Sequence, residues 1–387
     1  MQAFCPWESL CKAIEYASRQ LEETPNCYYY VNRGLIYMDA LIVEPAIADF
    51  NEALKYREDD WAAWNNLGCC YKYIGEYEKA IEHLEKAVEC LEKSGLKNFR
   101  PYRNMGDCYA VLGQHEKAIE CYLLNLEKMD PGYIKMYDKI AQAQNILGRY
   151  EEARVSYEKH GGSDYYSNIG YTWLREGDVD KAISLYKKGI AEADASNKSE
   201  DLRNFAMVYV DELGDVEEGI KNLKLALKSA GDAEDRFEAT RELAKAYFLI
   251  HDTKKAEYYA REAIKHFADE NNCSKEDYMS YKPYSPVRIG IWAWIELCLG
   301  NKEKALAMFE DMDNHLRCEP CRYKKCFEKT LYLADVYAAL GELDKAKQLY
   351  EETLEINPGC LEAKLKLERI NNPAENKKKK FLKFLPF

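Results

Sequence analysis

The 387 residues carry 67 acidic and 55 basic side chains, a formal charge of -12, so the clustered basic footprint that holds polyphosphate is missing and no nucleic-acid partner is expected. Partners of basic character are favoured instead. No run approaches the roughly 18 apolar residues of a membrane-spanning helix, and Met1 to Glu8 has neither the basic region nor the apolar run of a signal peptide.

In chain order, Trp7 to Leu21 is an amphipathic stretch closed by Pro25, and residues 1–26 read as an N-terminal half repeat. From residue 27 a helical hairpin recurs, at its clearest in Trp64-Asn65-Asn66-Leu67-Gly68-Cys69-Cys70-Tyr71, followed by Gly75, Ala80, Leu84 and Ala87. Counted along such a unit, position eight of helix A is small, because helix B crosses there: Gly34, Gly68, Gly106, Ala141, Gly170, Met207, Ala244, Ala293 and Ala334. Position twenty, on helix B, is Ala46, Ala80, Ala118, Ala153, Ala182, Gly219, Ala256, Ala305 and Ala346, with Ala13 ahead of them in the half repeat. Gly75, Gly113, Gly148, Gly177, Gly214, Gly300 and Gly341 fall where helix A must end, as left-handed caps do. Pro131 and Pro358 then close two of the B helices. Nine repeats start near residues 27, 61, 99, 134, 163, 200, 237, 286 and 327, and the sixth, with Met207 and Gly219, is the most degenerate. Residues 271–285, rich in Tyr and Pro, exceed the repeat and read as a folded insertion. Residues 360–370 read as a solvating cap helix and 374–387 as a disordered basic-aromatic tail.

The spacing W-x2-L-G-x2-Y followed by Ala resembles the tetratricopeptide family over residues 1–373. The resemblance implies an all-α solenoid, a right-handed superhelix of antiparallel helix pairs, with a concave groove that binds an extended peptide or partner tail. Position six faces that groove and is Asn32, Asn66, Asn104 and Asn168 in four repeats. Peptide-binding relatives use such amides to clamp ligand backbone, and an Asn side chain offers the donors and acceptor this needs. Arg100, Arg103, Lys135 and Lys139 fall on the same strip and suit a carboxylate or acidic side chain. The carboxylate clamp of chaperone-binding relatives is matched by Asn104, Lys135 and Lys139, but Asn65 and Cys69 stand where its first pair belongs, so the clamp is incomplete.

His315-x2-Cys318-x2-Cys321-x4-Cys326 has the ligand set of a closed, structural zinc site. The alternative is that His315 caps its helix and Cys326 is a buried helical residue. Apart from that zinc, no cofactor is expected. The tail Lys377 to Phe387 interleaves Lys with Phe and Leu and suits contact with an anionic membrane surface, or with an acidic flank of the protein itself. Fourteen cysteines, most of them inside amphipathic helices, fit a reducing cytoplasm. No phosphate-binding glycine loop, nucleophile elbow or H-E-x-x-H helix occurs, and His83 and His115 read as solvated surface, so no enzyme and no catalytic residue is expected. The function expected is a non-catalytic protein-interaction scaffold. The alternatives are a peptide-sensing regulator acting through a partner, and a co-chaperone-like adaptor.

Overall fold

The computed structural model describes residues 6–40, 42–128, 135–161, 165–194, 197–271, 286–315 and 327–372. These form twenty α-helices and one π-helical turn, with no strand among the described residues. The chain packs as two compact units that divide between Leu147 and Gly148, at the turn between the two helices of the fourth repeat.

In the first unit α1 (Pro6–Glu23) precedes the hairpins α2 (Cys27–Asp39)/α3 (Val43–Tyr56), α4 (Trp61–Tyr73)/α5 (Tyr77–Ser94) and α6 (Arg100–Val111)/α7 (His115–Lys128), and α8 (Met136–Ile146) follows. In the second, α9 (Tyr150–His160) leads into α10 (Tyr165–Glu176)/α11 (Val179–Glu192), α12 (Lys198–Met207)/α13 (Val216–Ser229), α14 (Ala233–Leu249)/α15 (Thr253–Asn271), α16 (Pro286–Cys298)/α17 (Lys302–His315) and α18 (Phe327–Ala339)/α19 (Leu343–Ile356), closed by α20 (Leu361–Asn371). Within each unit, successive A helices also touch one another, α2 to α4 to α6 and α10 through α12, α14 and α16 to α18. Each A face is therefore a continuous surface.

The hairpins close on small residues. Position-twenty alanines from Ala46 to Ala346 are fully buried, because a larger side chain would separate helices A and B. Ala13 is the exception. It is half-buried, and Ala17 and Leu21 are the buried positions of α1, which packs on α2. A methyl group added at Gly106 would lie 2.4 Å from Cε1 of Tyr122, so glycine is required there by helix B itself. The seven turn glycines all adopt positive φ, as the caps require, and the seventh repeat places His251 in the same conformation at φ 60°.

The sixth repeat is longer by one residue rather than degraded. After α12 the backbone forms a π-turn, Val208–Glu212, in which Leu213 N donates to Val208 O at 2.9 Å and Asp215 N to Tyr209 O, six residues back, at 2.9 Å. In the second repeat the matching bond, Glu76 N to Tyr71 O, spans five residues. One extra residue is absorbed in the turn, so the small residue of helix A is Ala206, which is fully buried, and not Met207, which is half-exposed. Gly219 on helix B faces Ala206 O and the Val210 side chain across this turn, and a methyl group there would lie 2.5 Å from Val210 Cγ2.

Two histidines depart from the solvated reading. His115, the first residue of α7, is buried. His83 is stacked between the signature aromatics, 5.5 Å from Trp64 and 4.9 Å from Tyr71, and burial lowers its pKa.

Candidate functional site

The A helices of the first unit bring several of the sequence-identified groove residues together, but in two different roles. Asn104 on α6 points inward. It is 4% exposed, donates from Nδ2 to Asn65 Oδ1 and Cys69 Sγ, each at 3.2 Å, and accepts from Lys72 Nζ at 3.0 Å. Asn65, also buried, donates in turn to Asn66 Oδ1 at 3.3 Å, and Asn66 is half-exposed. Two successive A helices thus share one amide network, with Asn66 at its solvent edge.

A residue that the position-six reading passed over organises the rest. Asp107 stands at position nine, three residues after Asn104 and hence on the same helix face. Its carboxylate accepts from Lys139 Nζ at 2.8 Å and Tyr122 OH at 3.1 Å, and Lys72 Nζ lies 3.4 Å away. Burial works against ionisation of Asp107, but the Lys139 hydrogen bond, the charges of Lys72 and Lys139 and the Tyr122 hydroxyl outweigh it and hold its pKa below the usual value. Tyr122 is driven the other way, by burial first and by Asp107 second. Cys69 is held as the thiol because burial outweighs the pull of Lys72, Arg103 and Arg100. Burial alone accounts for most of the rise of Cys108, to about 12.

Lys139 therefore binds α8 to α6, and the position-six amide of Asn104 binds α6 to α4. These two help to stack the repeats. Arg100 is exposed and Arg103 half-exposed on α6, and Lys135 is exposed at the N-cap of α8. Asn32 is half-exposed on α2, next to Arg33, which holds Asp49 through two bonds at 2.7 and 2.8 Å and donates to Ser18. Asn168 is half-exposed on α10, where its carbonyl accepts from Thr172, and it belongs to the second unit.

The same three-residue arrangement recurs in the second unit. Asp335 at position nine accepts from Tyr350 OH at 2.6 Å and from Lys366 Nζ at 2.7 and 2.8 Å. Tyr350 follows its aspartate by fifteen residues, as Tyr122 follows Asp107, and Lys366 occupies position six of the next A helix, as Lys139 does. The shared spacing of Asp, Tyr and Lys is the sequence signal that could have marked position nine.

Of the proposed zinc ligands, His315 is the last residue of α17, and Cys318, Cys321 and Cys326 lie outside the described residues, as do residues 272–285 of the insertion, Pro131 and the tail from Lys377 to Phe387. Among the described residues no cluster of His, Cys, Asp or Glu has the arrangement of a metal site, and no helix is long and apolar enough to cross a membrane.

A tetratricopeptide-repeat family model matches residues 61–93, on α4 and α5, and a second matches residues 328–370, on α18 to α20. The chain carries tetratricopeptide repeats at both places. No curated protein matches it. Among solved structures it is similar to a tetratricopeptide repeat protein from Parabacteroides merdae, at 14% identity and TM-score 0.46, over 72% of this chain and 98% of that one. It is also similar to YrrB, titled a TPR protein with an unusual peptide-binding site, at 20% identity and TM-score 0.40 over 46% of this chain and 93% of that one. A third similarity is to MamA, at 22% identity and TM-score 0.39 over 43% and 90%. Repeats of this family serve protein–protein interaction, and an interaction scaffold is the function such an array supports.

Proposed function

We propose that the chain is a non-catalytic scaffold whose first unit docks an extended segment of a partner protein on the A face from α4 to α8. The observation that carries this is the amide network: Asn65 and Asn104 are locked by each other and by Lys72, and they hold Asn66 at the solvent edge already oriented. A side chain ordered before binding loses little entropy when a ligand arrives. Arg100, Arg103 and Lys135 flank it as the cations for an acidic side chain or terminal carboxylate. With Lys139 engaged by Asp107 at 2.8 Å, the co-chaperone-like clamp loses a further donor, and a general acidic or polar segment fits better than a clamped chain end.

The test compares partners captured by the wild-type chain with those captured by an Asn66→Ala/Arg103→Ala variant. A bound partner is expected to weaken by roughly tenfold, the loss of one or two hydrogen bonds to charged or oriented groups. The melting temperature is expected to stay unchanged, since neither residue stacks the repeats. Unchanged affinity would remove this face as the docking surface.

Two further readings belong to the same proposal. Free cysteines, including buried Cys27, Cys70, Cys108, Cys121, Cys298 and Cys360, suit a reducing cytoplasm. A zinc clip at His315, Cys318, Cys321 and Cys326 is decided by metal analysis of protein purified with its thiols reduced, where a ratio near zero removes it.

A further inference from the structure

The second unit contains a hollow of about 150 Å³ that the sequence pattern does not announce. Four A helices converge on it, α14, α16, α18 and α20, and the π-turn after α12, Gly214, Val216 of α13 and Tyr350 of α19 complete its lining. The π-turn contributes Val210 and Asp211 to its lining.

Its floor is apolar, from Val210, Leu249, Trp294, Ala338, Ala339 and Ile370. Its polar groups are almost all taken. Lys366 holds Asp335 at 2.7 Å and also pairs with Glu362. Arg369 donates to the Asp211 carbonyl at 2.7 Å and pairs with Glu212. The loose pair is Lys245 with Asp211, 3.5 Å apart, where the carboxylate is 44% exposed and the ammonium lies 5.5 Å from the centre of the Trp294 ring.

That pattern selects the chemistry of an occupant. A charged side chain could pair with only one member of the loose Lys245–Asp211 pair and would face the like charge of the other beside it. A neutral peptide unit displaces nothing: its C=O accepts from the Lys245 ammonium and its N–H donates to the Asp211 carboxylate, both of which have unused capacity. A void of about 150 Å³ is large enough for a benzene-sized group, so the side chain on that peptide unit is a single apolar residue.

We infer that this hollow is a second binding site, which anchors one uncharged apolar residue of a partner polypeptide through its side chain and its flanking peptide groups. It goes beyond the docking face of the first unit and stands or falls separately from it, because none of its residues belongs to that unit.

The test uses the full chain with N-acetyl-leucine methylamide and N-acetyl-phenylalanine methylamide as probes, read by NMR on the methyls of Leu249 and Ile370 and the indole N–H of Trp294. Saturable shifts are expected with either apolar probe. N-acetyl-lysine methylamide and acetate are expected to bind at least about tenfold more weakly, because each brings a charge that the hollow cannot compensate. Raising the salt from about 0.05 to about 0.5 M is expected to change the affinity for the apolar probes by less than about twofold, since no net charge is exchanged. Ala339→Trp, which fills the hollow, abolishes the shifts. Lys245→Met keeps the aliphatic stem, removes the donor and weakens binding by about fivefold. This second variant decides the matter if the first does not fold. The site is overturned if neither apolar probe gives saturable shifts, if the lysine analogue or acetate binds as tightly, if affinity falls steeply with salt, or if Lys245→Met binds as the wild type does.

Discussion

Asp107 in the first unit and Asp335 in the second stand at the same position of their repeats and accept from the same two partners, the tyrosine of their own helix B and the lysine of the next helix A. Around this shared core the two faces diverge. In the first unit Lys72 and the amides of Asn65 and Asn104 extend the network toward solvent and end on Asn66. In the second, Glu362 takes the remaining reach of Lys366, and Trp294, Lys245 and Asp211 surround a hollow. The comparison separates what stacks a repeat from what differs between the two faces: the carboxylate, phenol and ammonium join three helices, while the residues one turn away give each face its own chemistry. It also shows Lys139 engaged by Asp107 of the preceding helix A, a contact that its position in the repeat does not by itself reveal.

The largest effect tests whether the two arrangements are equally tight. Position eight is Gly106 before Tyr122 but Ala334 before Tyr350. Gly106→Ala would place its methyl group 2.4 Å from the Tyr122 ring, and overpacking of this kind costs about 3 kcal/mol in chemical denaturation. A loss under about 1 kcal/mol would mean that the first hairpin can relax to the geometry of the second.

Next come the aspartates. Asp107→Ala and Asp335→Ala are each expected to cost about 2 kcal/mol, less than a fully buried pair because both are partly hydrated, and a clear inequality would break the equivalence of the two arrangements. Acid sharpens this. The pKa of Asp107 is depressed on folding, so its contribution is complete above the unfolded value of 3.8 and is lost as the pH falls through the lower folded value. The gap in melting temperature between wild type and Asp107→Asn therefore narrows from pH 7 toward pH 3. A gap that widens in acid contradicts the assignment.

The smallest effects divide the asparagines. Asn104→Ala removes three hydrogen bonds from a buried site and is expected to cost about 1 to 2 kcal/mol. Asn66→Ala, at the solvent edge, is expected to stay within about 0.5 kcal/mol. Equal losses in thermal melts would mean that Asn66 too is a stacking residue.

Much of the fold was legible because packing imposes hard limits on size. Ala80 and Gly106 tolerate nothing larger, and Gly75 occupies a backbone conformation that most residues avoid, so period and turns could be counted from residue types. The candidate site was less legible for a physical reason. A polar side chain on an A face is compatible with solvent, a ligand or the next helix, and only the neighbour's position decides among them. Asn104 and Asn66 share position six and both touch Asn65, but Lys72 and Cys69 close over Asn104 and not over Asn66. The π-turn was invisible to counting, since a one-residue insertion looks the same as a poorly fitting repeat.

That turn makes the sixth repeat a phase shifter. Beyond the turn the close hairpin crossing is kept: Ala206 faces Gly219 on α13, as Gly68 faces Ala80 on α5. Removing one residue within Val208–Glu212 is therefore expected to restore the five-residue turn bond that Glu76 makes to Tyr71, and to reshape the hollow that Val210 and Asp211 help to line.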